Sequence, residues 1–449
     1  MKKHPLSLIG GAIATLGAVA FVFVLFMDWL GLHTNPYLGI LFFFVIPGIF
    51  VFGLLLIPLG LWLARRRRDR GLSDASWPRI DLNDPIHRRR VVLFATLTLV
   101  NLLIVSLAAF KGIEYMDSPS FCGRVCHTVM EPEYVAHQAG AHSRVPCTDC
   151  HVGEGAGYFI KAKLNGLRQV VSLTRGTYPR PVPSPVHNLR PARDTCEHCH
   201  WPEKFHGDKV DTIFEYASDE KNTETVTRMI VHVGGGSERL GVKSGIHWHM
   251  NVANEIEYVA TDEKRETIPY VRTKDAKGNV REFRVEGVTE EQLAKGERRQ
   301  MDCLDCHNRP THMFSATPER AVDAAIARGE IARDLPFARR EAVAVLKGEY
   351  ADRAAAQAQI DQRLKTFYGQ NYASLVPAHA SDIDNLVRAT QRLYERNVFP
   401  YMKVTWGTHP NHLGHMDSPG CFRCHDDQHK TADGRVIKQD CDLCHDMPQ

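Results

Sequence analysis

The chain has 449 residues, with 55 Lys+Arg against 52 Asp+Glu for a formal charge of +3, and 44 % of it is hydrophobic. That near-balance excludes the strongly basic surface of a polyanion binder, and the length exceeds what a single hydrophobic core usually serves. The apolar residues are concentrated at the front, so the first expectation concerns a membrane.

Residues 6–27, 36–64 and 91–110 contain no charged side chain. Twenty apolar helical residues span about 30 Å, the thickness of a hydrocarbon core, so three transmembrane helices are expected. Lys2 and Lys3 precede the first. Arg65, Arg66, Arg67, Arg68, Arg70, Arg79, Arg88, Arg89 and Arg90 follow the second, and 28–35 holds no Lys or Arg. By the positive-inside rule both basic segments face the cytoplasm, and everything after Lys111 is delivered to the periplasmic side of a bacterial inner membrane. A cleaved secretory leader is the competing account of the first span, since Ala18-Val19-Ala20 resembles a processing site. The run after it is too apolar for the start of a soluble protein, so a retained anchor is expected. Beside a membrane the arginine run is a topology signal, not a nucleic-acid site. Residues 111–449 hold 44 Lys+Arg against 47 Asp+Glu, which offers nothing to a polyanion.

All twelve cysteines fall into six pairs, each closed by a histidine: Cys122/Cys126-His127, Cys147/Cys150-His151, Cys196/Cys199-His200, Cys303/Cys306-His307, Cys421/Cys424-His425 and Cys441/Cys444-His445. Two thiols one turn apart reach the two vinyl groups of one porphyrin while the adjoining histidine takes the iron, so the pattern is that of c-type haem attachment. Zinc ribbons do not need the repeated histidine, and a disulfide framework shows no histidine preference. Six covalent haems are expected. The first pair has one extra residue, which still leaves both thiols on one helix face at i and i+4.

Two cysteine-free stretches separate the motifs. In 208–300, alternation over 225–233 and a hairpin from 268–273 to 280–285 through Lys277-Gly278-Asn279 predict a small antiparallel insert, with Gly234-Gly235-Gly236 as a turn. In 315–400 the pattern is helical. Thr317-Pro318 is a start signal, and Ser381 with Asp384 reads as a cap for a face of Ile383, Leu386, Val387, Thr390 and Tyr394. The expected chain is mostly α: a membrane anchor over 1–110, a three-haem module over 111–207, a β-rich insert over 208–300, and a second three-haem module over 301–449 with a helical insert at 315–400.

The strings CHTVMEPEY from Cys126, CTDCHVGEGAG from Cys147, KAKLNGLR from Lys161 and LRPARDTC from Leu189 resemble the NapC/NirT family of membrane-anchored multihaem cytochromes, over about 91–206. GIHWH from Gly245, CHNRPTH from Cys306 and PNHLGH from Pro410 are similar to larger inner-membrane relatives. The resemblance implies oxidation of quinol, such as menaquinol, at the membrane face, with electrons passed to a periplasmic redox partner. It implies a lysine at the quinol site, matched by Lys163. The family's nearby acid is not matched, since Arg168, Gln169 and Val170 stand there; Glu114, Asp117 and Glu154 are the substitutes in sequence. The family's first haem carries C-x-x-C-H-x-M, whereas Met130 here lies three residues after His127, so either His127 or Met130 ligates that iron. The family usually has one anchoring helix, which leaves the first two spans here to dock another membrane subunit.

Fourteen histidines beyond residue 110 remain for at most six distal positions. His142, five before Cys147, and His312, five after His307, stand foremost, followed by His206, His249, His412, His415 and His429; His187 and His247 come behind them. His137, His232 and His379 read as structural. The sequence thus predicts a quinol dehydrogenase with six haems. A passive electron-transfer subunit without a quinol site is the alternative, and a terminal multihaem reductase the third. The topology has a direct check: a reporter active only in the periplasm is expected to work when fused after Gln449 and to fail after Gly71. The reverse pattern would sink both the topology and the route for haem attachment.

Overall fold

The computed structural model describes residues 5–29, 46–71, 81–89, 91–93, 96, 111, 114–125, 127–152, 156–186, 190–201, 205, 207–234, 245–250, 255–275 and 277–447. They divide into two compact units, one of Met1–Ser118 with His151–Val171, the other of Pro119–Cys150 with Ser172–Gln449.

In the first unit α1 (Pro5–Trp29) and α2 (Ile46–Asp69) pack antiparallel. Small residues let the backbones meet: a Cβ on Gly10 would lie 2.7 Å from the Gly53 carbonyl, and one on Gly53 would lie 2.5 Å from the Ala14 nitrogen. The Ser7 hydroxyl donates to the Ile57 carbonyl at 3.0 Å. Close approach through glycine and serine is how helices associate where lipid removes the hydrophobic drive between them. Among the described residues Gly48–Asp69 is long and apolar enough to cross a membrane, and Pro5–Ala20 is a shorter apolar helical stretch. Nearly all of the third expected span, 91–110, lies outside the described residues.

The second unit opens with a π-helical turn, Phe121–Val125, and α3 (His127–Gln138). After α4 (Cys147–His151) the chain gives most of α5 (Ala156–Arg175) to the first unit, and in the second α6 (Ala192–Cys196) is followed by two antiparallel sheets. One has the order β1-β2-β7, with β1 Lys209–Tyr216, β2 Glu224–Val231 and β7 His445–Asp446. The other has the order β5-β4-β3-β6, with β3 Glu255–Ala260, β4 Tyr270–Lys274, β5 Val280–Arg284 and β6 Glu297–Gln300; the helix α7 (Glu290–Lys295) leads into β6. The β4–β5 turn is built by Asp275, whose carboxylate accepts from the backbone of Lys277 and Asn279, both at 2.9 Å, while Gly278 supplies φ +81°.

Helices α8 (Pro318–Ala327), α9 (Ala338–Leu346), α10 (Arg353–Asn371) and α11 (Val376–Asn397) enclose a core that includes Val322, Leu335, Leu346, Ile360, Leu364 and Leu386. Thr317 caps α8, accepting from the Arg320 amide at 3.2 Å. The cap expected at Ser381 is corrected: α11 begins at Val376, with Pro377 in its first turn, and bends at His379, whose ring pairs with Asp382 at 2.9 Å. Proline suits a helix start because its missing N–H removes one of the unpaired amides there.

The buried Asn222, at φ +47°, ties the β1–β2 loop to this helical module. Its amide donates to the carbonyls of Arg333 and Leu335, both at 2.8 Å, and its Oδ1 accepts from the Arg339 amide at 3.0 Å. Asn222→Ala strands these groups and is expected to cost about 2–4 kcal/mol, read as a lowered midpoint of thermal unfolding. An unchanged midpoint would show that the loop is not a tie.

Candidate haem-binding sites

Motifs three to six adopt similar local geometry for a similar reason. Short helical turns, Cys303–Asp305, Gly420–Arg423 and Cys441–Leu443 among them, bring the second cysteine back over the first, and the backbone amide of the fourth residue closes on the first carbonyl. In the widened first motif the turn Phe121–Val125 is π-helical, and its larger circumference absorbs the extra residue. Cys126 and the His127 side chain lie outside the described residues.

Consecutive motifs are neighbours. The Cys147 thiol lies beside Cys122, and the Cys303 thiol lies beside Cys196. Cys150 lies within electrostatic range of Cys196 and Cys199, Cys306 within range of Cys421 and Cys424, and Cys444 within range of Cys421. The thiols therefore form a continuous series in chain order.

The fourth and fifth motifs share a buried polar node. Arg423 donates from Nε to the Gly420 carbonyl at 2.8 Å, from Nη1 to the Arg265 carbonyl at 2.9 Å and from Nη2 to the Asp305 carbonyl at 2.6 Å. Asp305, inside the fourth motif, accepts from the Tyr258 hydroxyl and from Arg299. Gly420 is confined to glycine, since a Cβ there would fall 1.6 Å from the Gly414 carbonyl at φ +48°. Arg309 joins the fourth motif to α3 through a two-oxygen ion pair with Glu133 at 2.7 and 2.9 Å. Burial works to raise the Glu133 carboxyl, but Arg309 and then His312 outweigh it and hold it below the ordinary range.

Four motif histidines each face one other histidine. His200 and His142 have ring centres 6.1 Å apart, His307 and His247 6.3 Å, His425 and His249 5.9 Å, and His445 and His415 6.2 Å. Two imidazoles on opposite sides of one iron, with Fe–N bonds of about 2 Å and ring centres about 1 Å farther out, stand about 6 Å apart. The free nitrogens agree with the distances. Nδ1 donates to the Pro310 carbonyl from His142, to Val233 from His247, to Ile246 from His249 and to Lys438 from His425, which leaves Nε2 for a metal. Burial lowers the pKa of His247, His249 and His307, favouring the neutral, ligating ring. These residues fit haem.

Other expected ligands are placed differently. His429 is buried with both nitrogens occupied, by Asp426 at 2.8 Å and the Ile268 carbonyl at 2.6 Å. His412 is buried and faces none of the motif histidines in a described ring pair; it borders a cavity of about 10 Å³ with Asn308, Pro410 and Asp305, room for about one water. His312 gives Nδ1 to the Glu133 carbonyl at 2.9 Å. Its ring is 6.1 Å from His137, but His137 spends both nitrogens on Val145 and Gln138, so that pair is packing. Met130 is half-buried on α3; His206 and His187 lie outside the described residues. Sequence reasoning ranked His247 behind others. The signal that marks it is its place two residues from His249 in one turn.

Of the expected quinol-site residues, Glu114 is ion-paired with Lys111 at 2.6 Å and Asp117 is half-buried. The Lys163 backbone is in α5, and its side chain, like Glu154, lies outside the described residues.

A family model described as the NapC/NirT cytochrome c family, N-terminal region, matches residues 86–181. That match takes in the first two motifs and Lys163 and ends before the third. The chain is also 42 % identical over 448 residues to the cytochrome c-type protein ImcH of Geobacter sulfurreducens, covering 99 % of this chain and 88 % of that protein. No solved structure shows a significant match. If Arg423 holds the fourth and fifth motifs together, Arg423→Met should lower the unfolding midpoint of the holoprotein by an amount equivalent to about 3–5 kcal/mol, since the buried backbone carbonyls of Gly420, Arg265 and Asp305 lose their donor. A loss below about 1 kcal/mol would remove Arg423 as the link.

Proposed function

Because the chain belongs to the NapC/NirT-type membrane multihaem cytochromes c, which carry covalent haem and serve electron transfer, we propose that it oxidises membrane quinol and passes the electrons through six haems to a periplasmic redox protein. The observation that carries this reading is that the histidines of motifs three to six each face a second histidine about 6 Å away, an arrangement suited to closed, electron-conducting irons. Haem supplies the one-electron redox chemistry, and the protein sets ligands, spacing and access.

A quinol releases two electrons and two protons as it becomes quinone, so the site must take protons as well as electrons. Lys163 is assigned to donate to a quinol oxygen and stabilise the negative charge that develops as a proton leaves, with Glu114 or Asp117 as the receiving carboxylate. Support comes from the segment that carries Lys163: Ile160, Leu164, Leu167 and Val171 recur every three or four residues of α5 and are all exposed, an apolar stripe suited to a lipid-soluble substrate. Three membrane spans with the haem domain periplasmic, and a membrane partner on the first two spans, complete the reading.

Two measurements test it. Intact mass is expected to show six haem additions and no free thiol; five additions with Cys122 alkylatable would remove the first site. Lys163→Ala is expected to keep haem content and dithionite reduction but slow reduction by a menaquinol analogue at least about tenfold, the equivalent of about 1.4 kcal/mol of transition-state stabilisation. Unchanged quinol kinetics would move the passive-subunit reading into first place.

A further inference from the structure

The short helical turn Ile246–Met250 has three residues per turn, so side chains two apart point about 240° around its axis. His247 and His249 therefore cannot serve one metal from one side. They face different motif histidines instead, His307 at 6.3 Å and His425 at 5.9 Å.

We propose that this one turn supplies the sixth iron ligand of two different haems, His247 to the one held by Cys303, Cys306 and His307, and His249 to the one held by Cys421, Cys424 and His425. The inference rests on the haem occupancy proposed above. Ordinary packing of two rings also gives centres 4.5–7 Å apart, so distance alone does not decide. The nitrogens do. Each ring is held from behind by its Nδ1, His247 by the Val233 carbonyl at 3.1 Å and His249 by the Ile246 carbonyl at 2.7 Å, whereas the packing pair His137–His312 has His137 spent on both sides. His200, the other motif histidine that influences His307, has its own partner in His142.

The turn is itself anchored. The Ile246 and His247 amides donate to the carbonyls of His232 and Val233 at 2.8 and 3.1 Å, and Gly245, at φ +97°, lets the chain pass within reach of Gly234. Both ligands thus move only with the end of β2, and the two metal positions are fixed relative to one another.

The two pairs differ in a way that spectroscopy reads. His247 and His307 have ring planes 5° apart, while His249 and His425 are at 83°. Parallel imidazoles split the two iron d orbitals that overlap their π systems and give a rhombic low-spin ferric signal. Crossed imidazoles leave those orbitals nearly degenerate and give a strongly anisotropic signal with one large g value.

The test is low-temperature electron paramagnetic resonance of the oxidised full-length protein, after intact mass has established six haems. In His247→Ala the rhombic component should fall by one haem equivalent and a high-spin signal should rise by one, with the anisotropic component unchanged. His249→Ala should do the converse, and added imidazole should restore each low-spin signal. His247→Met and His249→Met keep a ligand, and each should shift the midpoint potential of one haem while the haem count stays at six. Unaltered spectra and potentials in variants with six haems would overturn the ligand assignment. Fewer than six haems in the unmodified protein would instead overturn the occupancy on which it rests.

Discussion

Strand β2 is the element on which the redox half of the second unit hangs. Its last residues pair with β7, placing Val231 opposite His445, and the His232 amide donates to the Cys444 carbonyl at 2.9 Å. The same few residues present the carbonyls that hold the Ile246–Met250 turn and the His247 ring. One strand end therefore positions the sixth motif directly and, through the turn, the partners of the fourth and fifth. Backbone hydrogen bonds suit this role because they fix position without adding charge beside a redox centre. The His232 ring nearby pairs with Asp208 at 3.0 Å and Asp446 at 3.4 Å, and the Asp208 hydrogen bond is the largest influence raising its pKa.

A second level of order lies between motifs. Porphyrins displace the side chains that would otherwise fill a core, so the segments around them are held by polar nodes: Arg423 on three backbone carbonyls, and the ion pairs of Arg299 with Asp305 and Arg309 with Glu133. Such buried pairs are costly to form and costlier to break singly, which makes them better at fixing register than at adding net stability. Ordinary hydrophobic stability is kept elsewhere, in the core of α8 to α11, whose described residues include no haem-attachment motif. The helical insert fits a buttress in this scheme, joined to β1–β2 by Asn222.

How much could be read in the sequence follows from the range of each interaction. Haem attachment is local, a spacing of four or five residues and a histidine, and it stood out at once. The β4–β5 hairpin was legible because Asp275 and Gly278 act within five residues. The helical segment from Ile383 to Tyr394 was legible because the helix breaks at His379, two residues before Ser381; the residue at its start was not, because His379 and not Ser381 takes the local side-chain bond, to Asp382. Distal partners are long-range: His142 lies 58 residues before His200 and His249 lies 176 before His425. Sequence shows how many histidines are spare, but only the fold shows that His429 is consumed by Asp426 and Ile268 while His247 keeps a nitrogen.

The paired histidines also bear on which reaction class suits the chain. A terminal reductase needs an iron with an open position for its substrate. In the reading proposed here, motifs three to six each have a second histidine at ligand distance, so none of those four irons is left open. Substrate chemistry is then confined to the early motifs, and the first is where the axial choice lies between His127 and Met130. That motif is also the one nearest in sequence to the anchor, to Glu114 and to Asp117. A six-coordinate iron changes oxidation state with little rearrangement of its ligands, so four such centres in series favour conduction over catalysis. In the proposed reading such closed irons suit conduction, which sets quinol oxidation ahead of terminal substrate reduction.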